Sequence, residues 1–179
     1  MPLFNDLEGK QYLVDLFTSS FPVIPTFTKK LEGIDHYILK PLNGADSCGV
    51  EVVRAKDLEE KLCQDVLIQP LIEFQYEVSF YFIGKQFHYS LYAPDPKKRW
   101  ELKSYTASQA DIDFALKFIH WNTCEFGIQR IDACRLQDGQ LLLMELEDYN
   151  PFLSLDLLAK NVKDSFLESL CLSLKELNN

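Results

Sequence analysis

The chain has 179 residues, 47% of them hydrophobic and 25% charged, and 18 Lys and Arg against 27 Asp and Glu give a formal net charge of −9. That length suits one domain or two small lobes sharing a core, and the acidity argues against nonspecific binding to nucleic acid or an anionic membrane. No apolar run approaches the ~18 residues of a membrane span, and MPLFNDLEGK lacks the basic and apolar regions of a signal peptide, so a cytoplasmic protein is expected.

In chain order, KQYLVDLFTSS (10–20) has apolar residues at 12, 13, 16 and 17, one stripe of a short helix. The two prolines of FPVIPT end it. HYILKP and GVEVV are short apolar runs on either side of LNGADSC, and read as two strands around a glycine-containing loop. AKDLEEKL predicts a brief helix and DVLIQPL a strand. YEVSFYFI and QFHYSLYA, separated by Gly84-Lys85, form a hairpin. APDPKKRWELKS is polar, carries two prolines and reads as a flexible loop. SQADIDFALKFIHWNT opens with Ser108 as N-cap and continues at helical spacing. IQRIDACRL and QLLLMELE make a second hairpin about Asp138-Gly139. The tail holds SLDLLAK and KDSFLESLCLSLKEL, where Phe166, Leu167, Leu170, Leu174 and Leu177 form one apolar helical face. Strands and helices mix without regular alternation and the hairpins imply antiparallel pairing, so the class is α+β.

Cys48, Cys63, Cys124, Cys134 and Cys171 are scattered without a CxxC pair, which argues against a disulfide framework or a zinc site. They read as reduced, buried small hydrophobes. His36, His88 and His120 are dispersed, with no nucleophile to pair with.

Three clusters carry candidate chemistry. Lys40 ends an apolar strand beside a loop with Gly44, Ser47 and Gly49, where backbone N–H groups and an ammonium could cradle a phosphate. A solvated lysine before a turn is the plainer alternative. Glu77 interrupts the apolar stretch VLIQPLIEFQYEVSF, or is simply the outward member of an alternating strand. In RIDACRLQDGQLLLMELED, Arg130 and Asp132 stand at i and i+2 on one strand, and Glu145 and Glu147 at i and i+2 on its partner. Acids at that spacing share a face, and side-by-side like charges need a neutralising cation or base. Three carboxylates and an arginine would suit Mg²⁺, which keeps waters and binds substrate phosphates. A surface salt bridge of Arg130 is the alternative.

Together and in this order the clusters resemble the ATP-grasp superfamily, whose members include D-alanine–D-alanine ligase, bacterial glutathione synthetase and the cycloserine-biosynthesis-type ligases. The resemblance runs from about residue 5 to about 160. It implies a two-lobed fold with antiparallel sheets and a nucleotide cleft between the lobes, residues 1–68 forming the small lobe and 69–179 the lobe with the metal site. LEGKQYLVDLFTSSFPVIPT is similar to the family's opening helix, which makes Lys10 the first nucleotide-binding lysine and Lys40, in ILKP, the second. NGADSCGV, with Ser47 and Gly49, is similar to the glycine-containing loop that closes over the phosphates. VLIQPLIEFQYEVSF resembles the interlobe hinge, where Gln69, Leu71 and Ile72 would meet adenine and Glu77 the ribose hydroxyls. RID followed by LLLMELE resembles the Mg²⁺ site, with Asp132, Glu145 and Glu147 as ligands, Mn²⁺ as an alternative ion, and Arg130 on the transferred phosphoryl group. The loop Lys97-Lys98-Arg99 would offer a cation to the γ-phosphate, with Lys98 as the candidate.

The resemblance implies an ATP-dependent ligase that joins a small-molecule carboxylate to an amine or thiol through an acylphosphate. Family enzymes carry an N-terminal domain that helps build the acceptor site, and this chain begins almost at the first lysine. A separate partner or a homodimer would then complete the site. The rival expectation is a regulatory nucleotide-binding remnant without ligation chemistry.

Overall fold

One short stretch with period-two burial centres the first sheet. In β1 (His36–Pro41) Tyr37 and Leu39 are buried, and it pairs antiparallel with β2 (Glu51–Arg54) on one side and β3 (Val66–Pro70) on the other. The computed structural model describes residues 9–43, 48–62, 65–148 and 150–176. Its contacts divide into two units, Leu7–Glu73 and one containing Phe74–Asn179.

In the first unit, helix α1 (Tyr12–Thr18) buries Tyr12, Leu13 and Leu16, the stripe that its spacing predicts. The FPVIPT segment returns alongside β3. There Phe27 and Ile68 exchange both backbone hydrogen bonds, at 2.9 and 2.8 Å. The single turn of α2 (Leu58–Lys61) buries only Leu58, which packs with Tyr37, Leu39, Val53 and Ile68.

The second unit is a five-stranded antiparallel sheet in the order β6-β5-β4-β7-β8. Its strands are β4 (Tyr76–Ile83), β5 (Gln86–Ala93), β6 (Lys103–Tyr105), β7 (Ile128–Arg135) and β8 (Leu141–Glu147). β4 and β5 form the hairpin at Gly84-Lys85, with Ile83 opposite Gln86, and β7 and β8 form the hairpin at Asp138-Gly139. Helix α3 (Gln109–Asn122) lies against β7 and β8 and buries Phe114, Ala115, Phe118 and Ile119. Ser108 and Asp111 make a reciprocal capping box that satisfies two orphan N–H groups of its first turn. Helix α4 (Lys160–Glu176) lies against β4 and β5. Among the described residues no helix is long and apolar enough to cross a membrane.

Three expectations change. The segment 93–104, read as loop throughout, ends in strand β6, whose Ser104 and Tyr105 stand opposite Leu91 and Ser90. Three residues are too few to show alternation, and the strand is fixed by Tyr105, whose hydroxyl reaches Asp111 at 3.0 Å. On α4, Phe166 is the fully buried residue and Leu170 packs beside it, whereas Leu167 and Leu174 are exposed and Leu177 lies outside the described residues. The sheet contacts the helix along positions 162, 166 and 170, a narrower stripe than the leucine pattern implies. Cys124 and Cys134 are buried as expected, but Cys48 and Cys171 are exposed; Cys63 lies outside the described residues.

Candidate functional site

An irregularity in the β7–β8 ladder decides which way the acids of β8 point. From the turn, Arg135, Cys134 and Ala133 pair with Leu141, Leu142 and Leu143, and then the register slips between Ala133 and Asp132. Past the slip Asp132 stands opposite Glu145 and Arg130 opposite Glu147. In an unbroken ladder Met144 would face Asp132, and both glutamates would turn to the opposite side of the sheet, because a one-residue shift flips every side chain. A bulge here re-aims two carboxylates onto the face that holds Arg130 and Asp132.

On that face the guanidinium of Arg130 is the centre. Its Nε donates to both Asp132 oxygens at 2.9 and 3.2 Å, and its Nη2 donates to Asp132 Oδ2 at 2.8 Å and to Glu147 Oε1 at 2.5 Å. The Arg130 side chain is only 15% exposed. Burial alone would lower its pKa, but Asp132 and Glu147 outweigh that and push it up, so the group stays charged. Ser79, directly across from Asp132 on β4, donates to Asp132 Oδ1 at 2.6 Å. Glu145 is half-buried at its place opposite Asp132.

The segment that follows β8 is tied to the same face. The Phe152 carbonyl accepts from Arg130 Nη1 at 3.1 Å and from the Tyr81 hydroxyl at 3.3 Å, and the Leu153 carbonyl accepts from the Tyr89 hydroxyl at 2.7 Å. Tyr81 and Tyr89 stack with ring centroids 4.3 Å apart. Burial pushes the Tyr81 phenol up to about 12, with Arg130 pulling the other way and Asp132 adding to the rise. Tyr81 is therefore a fixed neutral donor at neutral pH.

The acids are the right donor type for a hard divalent cation and occupy one face. Among the described residues, however, no three His, Cys, Asp or Glu side chains are gathered closely enough to hold an ion. The guanidinium supplies the positive charge between Asp132 and Glu147. A cation drawing on these acids would have to take that place.

Glu77 lies on the same face of β4, two residues before Ser79, and its carboxylate is 2.7 Å from Arg99 Nε. Of the three basic residues in that loop, Arg99 is the one engaged with a sequence-predicted site residue. Lys98 pairs with Glu101 at 3.1 Å and is half exposed.

The other candidates belong to the first unit. Lys40 is half-buried near the end of β1 opposite Leu67. Lys10, only 8% exposed, donates its backbone N–H to the Leu42 carbonyl at 2.9 Å, so both lysines stand at one end of this sheet. Gly49 has φ +76, and a Cβ there would lie 2.9 Å from Pro41 Cγ. Ser47 lies outside the described residues. Gln69 is buried, and its amide donates to Thr26 Oγ1 at 2.9 Å, which leaves its backbone as the part that could meet a ligand. Leu71 is exposed and Ile72 half-buried on the segment after β3.

Sequence reasoning missed Ser79, although a lone serine in YEVSFYFI opposite an acid was a readable signal. It also missed the Phe152 carbonyl, for which the sequence carries no signal, since any residue has one.

The chain matches no family model and no curated protein. Solved structures do resemble it. The D-cycloserine synthetase DcsG aligns with a TM-score of 0.70 at 18% identity, over 92% of this chain and 71% of that one. The ATP-grasp ligase PsnB, complexed with a phosphomimetic variant of its minimal precursor, Mg and ADP, aligns at 0.72 and 18% identity over 94% of this chain and 58% of its own. The D-alanine–D-alanine ligase from Bacillus anthracis, complexed with ATP, aligns at 0.66 and 15% identity over 95% and 66%. The chain thus spans between about three-fifths and seven-tenths of the length of these structures. It has the ATP-grasp fold.

Proposed function

We propose that this ATP-grasp-fold chain is an ATP-dependent ligase that joins a carboxylate to an amine or another nucleophile. The observation that carries the reading is the convergence of Asp132, Glu145, Glu147 and Arg130 on one sheet face, past the register slip between Ala133 and Asp132. Residues 1–68 supply Lys10 and Lys40 to offset phosphate charge, and residues 69–179 supply the adenine-side hinge, Glu77 and the acids. Gly49 and Ser47 belong to the loop over the phosphates. Asp132, Glu145 and Glu147 would hold Mg²⁺, or Mn²⁺ in its stead, and the ion would supply positive charge to offset that of the phosphates.

The substrate carboxylate attacks the γ-phosphorus and ADP leaves, giving an acylphosphate. The amine then attacks the acyl carbon, releasing phosphate and a proton. Such transfer depends on positioning and charge stabilisation more than on covalent help from the protein. Once it no longer neutralises Asp132 and Glu147, Arg130 is free to meet the transferring phosphoryl group from the same face. Lys98 or its neighbour Arg99 adds positive charge as the loop approaches. The carboxylate belongs to a small molecule or to a peptide: solved neighbours include the ligase PsnB with a variant of its minimal precursor and the macrocyclase MdnC with a precursor peptide.

A second reading, a nucleotide-binding module without ligation, is favoured by the same guanidinium. With Arg130 in place Asp132 and Glu147 are already compensated by a charge within the chain. Thermal denaturation with Mg²⁺ and ATP tests the nucleotide site, because a ligand selective for the native state raises Tm. The expected rise is lost in Glu145→Gln and in Lys40→Ala. ADP release with pooled amino acids, peptides and small carboxylates then separates ligase from binder. No shift at millimolar ATP would refute both readings.

A further inference from the structure

We infer that His88 is a pH-sensitive latch: its neutral imidazole lets α4 rest on the β4–β5 hairpin, and the protonated ring loosens it. The inference is independent of the ligase reading. Its ground is a second register slip, this one in the β4–β5 ladder. Tyr81 stands opposite Tyr89 and Phe82 opposite Phe87, so His88 is an extra residue with no counterpart on β4. Neighbouring side chains of a regular strand point to opposite faces. Here His88 and Tyr89 both meet the ring of Phe166 edge to face, with centroids 5.4 and 5.3 Å away.

Phe166 is the one buried residue of α4. The slip thus seats a titratable ring at the point where the helix is attached. Nε2 of His88 is buried and, among the described residues, has no hydrogen-bond partner. A neutral ring with its hydrogen on Nδ1 leaves only a lone pair there. A second proton turns Nε2 into a charged donor against an apolar surface, and a buried donor without an acceptor bears its full desolvation cost. The charged side chains on the surrounding elements are Lys85 in the turn, Lys103 on β6, and Lys160, Lys163, Asp164 and Glu168 on α4. None of them offsets that cost, since burial is the sole influence on the ring and lowers its pKa. The Tyr81 and Tyr89 phenols beside it are pushed up and stay neutral.

The consequence reaches the candidate site. Leu153, Leu155, Leu158, Val162 and Leu170 pack on the same cluster as Tyr81, Tyr89 and Phe166. The Phe152 and Leu153 carbonyls are held by Arg130, Tyr81 and Tyr89. Loosening α4 therefore weakens the hold on the segment bound to Arg130. An undocked ring binds its proton more readily than the docked one. Docking is thus strongest above about pH 6.5 and weakens as the pH falls below it.

The test is amide hydrogen exchange of the full chain at about pH 7.5 and about pH 5.5, on either side of the ordinary histidine range, corrected for the intrinsic pH dependence of exchange. Protection of α4 and of residues 153–158 should fall about tenfold relative to α3 at the lower pH. In His88→Phe and His88→Gln, which retain His36 and His120, that fall should vanish. Equal protection of α4 at both pH values, or a fall that persists in the variants, overturns the inference. Should both variants fold poorly, titration of the His88 ring by NMR in the unaltered chain decides. A midpoint below about 6.5 is expected. One at or above it would mean that the Phe166 ring stabilises the imidazolium, and the latch would not exist.

Discussion

Arg99 Nε lies 2.7 Å from the Glu77 carboxylate, so the acid proposed to hold the ribose hydroxyls already has a basic partner. The Glu77 side chain is 17% exposed and that of Arg99 51%. A nucleotide arriving at Glu77 must exchange with the guanidinium, and an ion pair with one exposed partner is worth at most about 1 kcal/mol. Arg99→Ala should therefore tighten ADP binding by about two- to fivefold, measured calorimetrically. Weaker binding in this variant would mean that Arg99 holds the nucleotide directly and does not shield its site.

Removing Arg130 leaves Asp132 and Glu147 on one face without their counter-charge. Arg130→Gln should lower stability by about 2–3 kcal/mol, as expected when one partner of a largely buried ion pair is lost. Trp100 and Trp121 both belong to the unit containing Phe74–Asn179, so urea unfolding followed by tryptophan fluorescence reports on the affected sheet. Millimolar Mn²⁺ should recover part of the loss in the variant and do little for the unaltered chain without nucleotide. If Mn²⁺ stabilises both equally, arginine and cation do not share a place.

The hairpins, the capped helix and the acid pair on β8 were legible because each rests on local rules: glycine turns, Ser108 as N-cap, and period-two spacing. What the spacing could not show is that Glu145 and Glu147 reach Asp132 and Arg130 only through a register slip. A two-residue turn at Asp138-Gly139 would pair Asp132 with Glu145 directly; the hairpin instead closes with Leu136 opposite Gln140, and from that closure an unbroken ladder would have placed the same acids on the other face. Arg130 spanning Asp132 and Glu147 was also beyond the sequence, since which cation neutralises two acids depends on side-chain reach. Strand β6 was missed for a different reason: its pairing is held by Tyr105 contacts to Tyr76 and Arg135, both remote along the chain, and to Asp111 on the following helix.

Gly49 provides a check on the loop assigned to the phosphates. Its φ of +76 disfavours any residue with a Cβ, and that Cβ would press on Pro41 Cγ at 2.9 Å. Gly49→Ala should cost about 1–2 kcal/mol, felt in the Leu7–Glu73 unit, which contains no tryptophan. Amide hydrogen exchange of β1 and β2 should then speed up by about tenfold, with α3 unaffected. Unchanged exchange would show that the loop adopts another conformation.

Asp111 links the start of α3 to the sheet and gives the second unit an acid-sensitive contact. Burial alone would raise its pKa, but the Arg135 guanidinium at 2.5 Å and the Ser108 backbone and hydroxyl overcome that and hold it below the usual aspartate value. A carboxyl depressed in the folded state leaves the unfolded chain binding more protons, so stability rises with pH across the window between the two values. The contribution is fully present above the unfolded value of about 4 and is lost as pH falls through the folded one. Asp111→Asn keeps one acceptor oxygen, able to serve both Ser108 and Tyr105, but replaces the charge facing Arg135 by an NH2 group, and should cost about 1–3 kcal/mol at pH 7. Urea midpoints by tryptophan fluorescence from pH 7 to pH 2.5 should show the gap between variant and unaltered chain shrinking below about pH 4. A gap that stays constant to the lowest pH would mean that the ion pair with Arg135 contributes nothing and that the capping bonds alone hold this end of the helix.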